Sequence, residues 1–365
     1  MHAQVGQAAD AQANAFDALP DEVVLAVFAA LGDDPRAALA LGATCARHYA
    51  LSTDDRLWRD MCQLRFGYPL HTCAHVYGKD GRWVYRAQAC AGNVHTPAGT
   101  VDVAGGFYCG DLAGGLPHGY GASMQCLALG RLGGQHVPRR SVADVRASNR
   151  CEGEWHRGQA HGHVVYSSAD GSVYRGTWEN GRRHGHGTTV NAHGSRHVGI
   201  WRAGECLFGA ITAADGTAWH VGEWKNGRPH GHGTARLESG ATYTGGYADG
   251  VRSGYGIYTC TDGTTIEGIW DNDTLSDYAV CADPVARTHY QGMWGSNMSM
   301  GFGVQTYGDG SQLAAVWDGV KHSRGTVAAH RSDDAPGDRC VNDPCAACVA
   351  LAVGTSNLPS GRNMP

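Results

Sequence analysis

The 365-residue chain has no stretch approaching ~18 uninterrupted apolar residues, which argues against a transmembrane helix. Its first fifteen residues have no basic start followed by an apolar core of about 7–15 residues, so no secretory signal is expected. Long runs of one charge sign are also missing. The 29 basic and 34 acidic residues leave a net charge of −5, which argues against a nucleic-acid footprint or a surface built for strongly anionic membranes. The thirteen cysteines are odd in number and carry no secretion signal with them. They fit a reducing, cytoplasmic setting better than a disulfide framework, with the nucleus left open. There is no Gly-x-Ser-x-Gly elbow, no Gly-x-x-x-x-Gly-Lys-Ser/Thr phosphate loop and no His-Glu-x-x-His pair. The expectation is a binding protein without catalysis or cofactor.

Glycine and periodicity are abundant. Trp155, Trp178, Trp201 and Trp224 stand 23 residues apart, Tyr247 takes the next place, and Trp270, Trp294 and Trp317 follow at 23, 24 and 23. A fixed period of this size marks one supersecondary unit stacked many times. The 54 glycines recur at fixed places in that unit, so they report turns rather than disorder. In the unit from Tyr174, the residues Tyr174, Gly176 and Trp178 alternate along a strand and share one face. Asn180-Gly181 follows as a type I′ hairpin turn, Gly185 and Gly187 lie on the returning strand, and His193-Gly194 turns into the next unit. Two turns per unit leave room for two strands of about 5–6 residues.

The units at Tyr243 and Tyr290 repeat this grammar, and that at His220 does so with histidine first. An early unit begins at Tyr108, with a polar insertion near 131–150 before the unit at Cys151. Units beginning at His197, Ile266 and Leu313 keep tryptophan but lose some glycines. Asp273 takes a turn-glycine place and Ala315 a strand-glycine place. The expected result is an antiparallel meander in which glycine lets a neighbouring ring lie flat over backbone. The expected aromatic ladder comprises Tyr108, Trp155, Tyr174, Trp178, Trp201, Trp224, Tyr243, Tyr247, Trp270, Tyr290, Trp294 and Trp317. The pattern resembles the MORN repeat, Tyr-x-Gly-x-Trp-x-x-Gly-x-x-x-Gly-x-Gly, over roughly 108–325. That resemblance implies an elongated, twisted sheet of hairpins used for protein contacts, dimerisation or, in some members, lipid contact.

Residues 16–67 follow a different rule. Leu19-Pro20-Asp21-Glu22 opens an apolar run at helical spacing, Val23, Val24, Val27, Phe28 and Leu31. The proline and the acidic pair suit a helix start. Gly32-Asp33-Asp34-Pro35 breaks that helix. A second helix is expected to carry Ala38, Leu39, Leu41, Cys45 and Tyr49, and a third Leu57, Trp58, Met61 and Cys62. The run resembles an F-box, with Leu19, Pro20, Glu22, Leu31, Leu41, Cys45, Leu57 and Trp58 in register. It departs at His48, where tryptophan is usual, and at Thr44, where an aliphatic residue precedes the cysteine. The resemblance implies that Leu19, Pro20, Val23, Val27, Phe28 and Leu31 contact the Skp-type adaptor of a cullin–RING ubiquitin ligase. The competing reading is a helical cap whose apolar face packs on the sheet. Giant DNA viruses of amoebae carry many proteins joining F-box and MORN units, and this chain resembles them in arrangement.

The whole reads as an α+β chain. Residues 1–15 are expected to be disordered, 16–67 to form the helical module, and 68–106 a linker with a helix near Arg82–Ala89. The β-array follows at 107–325 and a tail at 326–365. Three histidine and cysteine groupings have metal-ligand chemistry. His161, His184 and His230 share one repeat position, but adjacent units place them about 9–10 Å apart, too far for one ion. Cys340, Cys345 and Cys348 with His330, and Cys62, His71, Cys73 and His75, lack two tight ligand pairs, so no metal is expected. Glu154, Glu223 and Asp249 are expected to be solvated.

Overall fold

A computed structural model describes residues 19–30, 35–125, 137, 139–319, 321–322 and 326–328. It divides into two compact units, Met1–Asp170 and Gly171–Pro365. The expected disorder of 1–15 and nearly all of the tail, with His330, Cys340, Cys345 and Cys348, lie outside the described residues, as does Leu31.

The first unit begins with helices α1 (Asp21–Ala30), α2 (Pro35–Gly42), α3 (Ala46–Ser52), α4 (Asp55–Phe66) and α5 (Gly81–Ala89). The single second helix expected from sequence is two. After Gly42 the Thr44 hydroxyl turns back to the Leu41 carbonyl at 2.7 Å, and Cys45 becomes the N-cap of α3. Asp54 caps α4 by accepting from the N–H groups of Arg56 (2.7 Å) and Leu57 (3.2 Å), and Asp80 caps α5 by accepting from Trp83 N–H. The segment expected as a linker contributes to the core. Tyr85 of α5 lies edge-on to Trp58 at 5.3 Å and beside Phe66 at 5.6 Å.

Strands β1 (Ala98–Val103), β2 (Gly106–Ala113), β3 (Leu116–Gln125), β4 (Asn149–His156) and β5 (Gln159–Ser167) form an antiparallel meander, each pairing with the next. The sheet therefore starts one strand before the repeat pattern does. Short helix α6 (Val142–Arg146) sits in the insertion, closed by a capping box of Ser141 and Asp144. Helices and first hairpin share one core. Val24, Phe28, Leu57, Trp58, Met61 and Tyr85 pack with Phe107 and Cys109 of β2 and Ala122 and Met124 of β3. Those four strand residues alternate with Tyr108 and Gly121, so this hairpin is covered on the face opposite its motif residues.

The second unit is a longer meander: β6 (Val173–Glu179), β7 (Arg182–Val190), β8 (Arg196–Arg202), β9 (Glu205–Thr212), β10 (Trp219–Lys225), β11 (Arg228–Arg236), β12 (Thr242–Ala248), β13 (Val251–Thr259), β14 (Thr265–Asp271), β15 (Thr274–Asp283), β16 (Thr288–Gly295), β17 (Met298–Thr306) and β18 (Gln312–Asp318). Each of these strands pairs antiparallel with its successor. The tight turns are as expected from sequence: Asn180 and Gly181 have φ of 50° and 74°, both in the region a type I′ turn requires. In each regular hairpin a bulge falls between the motif glycine and tryptophan, as between Gly176 and Trp178. The bulge increases local twist and re-aims the tryptophan side chain.

Candidate functional site

Helix α1 is the element expected to face an adaptor. Its start is fixed by the Pro20 carbonyl, which accepts from Val23 N–H (3.0 Å) and Val24 N–H (3.1 Å). Arg47 of α3 clips this end: its guanidinium donates to Asp21 Oδ1 at 2.5 Å and to the Leu19 carbonyl at 2.5 Å. Pro20 and Val23 are exposed, and Val27 and Leu19 half-buried, Leu19 packing against the shared core. Phe28 is placed otherwise than the adaptor reading expects. It is fully buried, because it stands four residues from Val24 and both turn inward into the core that α4 and the first hairpin share. The two departures from the F-box pattern answer each other. Thr44 Oγ1 and His48 Nδ1 are hydrogen-bonded at 2.7 Å, and His48 is buried.

A second constellation joins the segment after α4 to the sheet, and its central residue, Glu152 of β4, escaped the sequence reading. The Glu152 carboxylate is buried. It accepts from the backbone N–H groups of Thr72 (2.7 Å) and Cys73 (2.6 Å), the Thr72 hydroxyl (2.6 Å) and the Tyr120 hydroxyl (2.5 Å), and it pairs with Arg150. Burial pushes its pKa up, but Arg150 and these donors outweigh that and hold it below the usual carboxylate value. Tyr120 is in turn stacked on Tyr77 at 4.5 Å. Arg140, from the insertion, is also buried. Its backbone pairs with Phe66 and Tyr68 (2.8 and 2.9 Å), and its guanidinium reaches Gln88 and the Tyr68 carbonyl. The available signal for Glu152 was its place: a carboxylate two residues before Glu154, where the unit at Tyr174 has Arg175.

On the motif face the expected ladder forms. Tyr174 lies edge-on to Trp178 (5.8 Å) and Trp201 (5.7 Å), Tyr243 to Tyr247 (5.3 Å) and Trp270 (5.4 Å), Tyr290 to Trp294 (5.8 Å) and Trp317 (5.5 Å), and Tyr108 to Trp155 (5.0 Å). Glycine makes room as anticipated. A Cβ on Gly187 would overlap the ring and hydroxyl of Tyr174. The tryptophans do more than stack. Indole N–H groups of Trp155, Trp224 and Trp270 donate to the carbonyls of Gly121 (3.2 Å), Gly209 (3.0 Å) and Gly256 (3.2 Å), each on the last strand of the preceding hairpin. Every such bond staples one repeat to its predecessor.

Two rungs missed from sequence are histidines in the tyrosine place. His197 lies against Trp201 and, at 4.6 Å, Trp224; His220 lies between Trp224 (5.3 Å) and Tyr247 (4.8 Å). Burial lowers both pKa values to about 4. At Ile266 the ring sequence breaks, and Ile266, Leu275 and Ala279 fill the core instead. Asp273, in its turn-glycine place, accepts from Arg252 N–H and Nε, both at 2.9 Å, while the Arg252 guanidinium lies 4.2 Å from the Trp270 ring centre.

Among the described residues no three His, Cys, Asp or Glu side chains are placed to hold a metal. His71 is committed to the Cys109 carbonyl at 3.1 Å and lowered by burial to about 4, and the Cys62 thiol is pushed up by burial to about 12. His184 faces Glu179 within its own hairpin (3.1 Å) and His230 faces Asp249 of the next hairpin (3.8 Å), whereas His161 lies beside His156. Glu223 and Asp249 are exposed, whereas Glu154 is half-buried and accepts from His163 N–H at 3.3 Å.

Comparison with known proteins agrees with this division. Residues 16–64 match the F-box-like family. Residues 108–122, 151–173, 174–196, 220–242, 243–265 and 290–312 match the MORN repeat. The units passed over at His197 and Ile266 have altered motif positions, yet both form hairpins, β8–β9 and β14–β15. No curated protein matches the chain. Among solved structures, the TCP domain of SAS-4 (dCPAP) from Drosophila melanogaster, in complex with a proline-rich motif of Ana2 (dSTIL), is 9% identical, with 46% of this chain and 83% of that one covered and a TM-score of 0.25. The TCP10 domain of Danio rerio CPAP, in complex with a peptide of Danio rerio STIL, is 15% identical, with 50% and 91% covered and a TM-score of 0.28. Likenesses at these scores inform neither fold nor function. The chain joins an F-box-like helical segment to antiparallel strand hairpins that match the MORN repeat six times.

Proposed function

We propose that this chain is a substrate-recruiting adaptor of a cullin–RING ubiquitin ligase, in which α1 engages a Skp-type adaptor and the repeat sheet holds the target. The observation that carries this reading is the F-box-like match at 16–64, over a helix whose Pro20 and Val23 face outward while Val24 and Phe28 anchor it. On this reading the chain is non-catalytic and cytoplasmic, and the ligase partners supply the chemistry. The joined arrangement resembles proteins of giant DNA viruses, in which case the Skp-type adaptor would be the host's. Leu19→Ala with Pro20→Ala is expected to abolish co-purification with a Skp-type adaptor, while circular dichroism of the sheet is unchanged. Undiminished capture would sink the proposal. It would favour the rival role, a self-associating or membrane-tethering scaffold, for which the packing of the helices on the first hairpin speaks.

A further inference from the structure

Away from the ladder, the residues between the motif positions form the open face of each strand, and their polarity varies along the second unit. On β6 and on β11–β12 this face is polar, with Arg175, Thr234 and Thr244. On β8 to β10 apolar Val198, Ile200, Phe208 and Val221 are exposed on it, and on β13 to β17 it carries a larger apolar band edged by Glu267 and Asp271. Tyr255 and Ile257 on β13, Ile269 on β14, Tyr278 on β15, Met293 on β16 and Phe302 on β17 are 36% to 62% exposed. They are neighbours, because Tyr255 pairs with Ile269 and Tyr278 with Met293 in register. Five strands about 4.8 Å apart span roughly 19 Å, the length of about six residues of extended chain. Adjacent exposed side chains of this size are the mark of an interaction surface. The first hairpin shows what an apolar open face does in this chain: Phe107, Cys109, Ala122 and Met124 are covered by helices.

The charge around the band selects its occupant. Residues 251–318 carry eight acidic and two basic side chains, a net −6 against −5 for the whole chain. Of the two basic residues, Arg252 is turned onto the Trp270 ring and Arg287 lies in the exposed β15–β16 turn. Glu267 and Asp271 flank Ile269 on the open face of β14, and exposed Asp277 precedes Tyr278. A second copy of this face would meet acid with acid, and an anionic membrane would be repelled.

We propose that the open face of β13 to β17 docks a polypeptide segment of a partner protein in which apolar residues alternate with lysine or arginine. This rests on the recruiting role proposed above and names the surface and chemistry by which the target would be held. The test uses the purified full chain without any adaptor, so that failure of adaptor capture leaves it untouched. Fluorescently labelled peptides of about 10 residues, alternating Leu-Lys, Leu-Glu or Ser-Lys, are titrated by anisotropy. The Leu-Lys peptide is expected to bind at least about tenfold more tightly than either control. Tyr278→Ser with Phe302→Ser removes that preference, and Glu267→Lys with Asp271→Lys shifts it toward Leu-Glu, with circular dichroism unchanged in both. Equal binding of the three peptides, or binding indifferent to Phe302, overturns the proposal. So does a doubled mass in light scattering that Phe302→Ser halves, which would assign the face to a second copy. Flotation with phosphatidylserine vesicles that the same substitution abolishes would assign it to lipid, with the same consequence.

Discussion

Glu152 shows how one residue converts a generic repeat into a particular junction. Its carboxylate gathers two backbone N–H groups, two hydroxyls and Arg150 around a buried position, so its charged form is the one the fold requires. Glu152→Ala would leave those donors without an acceptor and Arg150 nearly buried without its partner, at a cost of about 3 kcal/mol in chemical denaturation. The sign of its pH dependence follows from the lowered folded-state pKa. The contribution is complete above the ordinary carboxylate value and disappears as pH falls through the folded one. The repeat grammar marks this residue only as a carboxylate where the unit at Tyr174 has Arg175. Its partners Thr72 and Cys73 are about 80 positions away, and only the folded chain brings them together.

At the scale of the hairpin, the ladder carries its own weak rungs. Tyrosine hydroxyls at the first motif position reach the carbonyl three residues on, as Tyr174 does to Thr177 (3.3 Å) and Tyr243 to Gly246 (3.1 Å). His220 in that place is buried with both ring nitrogens unbonded, and His197 reaches only Cys206 Sγ at 3.4 Å. Their folded-state pKa values, about 4, lie below the unfolded value near 6.5. Between those values the unfolded chain binds more protons, so stability falls as pH drops through this window, by on the order of 3 kcal/mol per histidine at its lower end. Tryptophan fluorescence melts at pH 7 and pH 5 should show this loss, and His197→Tyr with His220→Tyr should remove most of it. A loss that persists undiminished in the double variant would place the sensitivity elsewhere. The same hairpins were legible in sequence because turn and close-approach glycines leave a fixed signature. The indole staples were not, since a tryptophan's spacing does not say which carbonyl its N–H will meet.

At the scale of the first unit, the helices and β2–β3 share one buried core. Phe107 belongs to the sheet yet shares a core with Phe28, Trp58 and Tyr85. Phe107→Ala should therefore destabilise the helices, costing about 3–4 kcal/mol in denaturation followed by the helical dichroism at 222 nm. Helices that unfold with unchanged midpoint in this variant would be an independent module. Pro20 and Val23 are exposed at α1, while Val24 and Phe28 of the same segment are buried in the core that also holds Phe107.

The sequence by itself determined what is local and periodic: the 23-residue unit, the type I′ turn at Asn180-Gly181, the rings over glycine, and an amphipathic helix beginning after Pro20. These follow from φ preference, strand alternation and helical spacing, all written within a few residues. Only the tertiary structure decided which apolar positions would be covered. Phe107 and Met124 lie under helices while Tyr278 and Phe302 face solvent, although both pairs occupy strand positions between motif residues. Burial depends on what packs above a strand, and that is set by contacts between residues far apart in the chain.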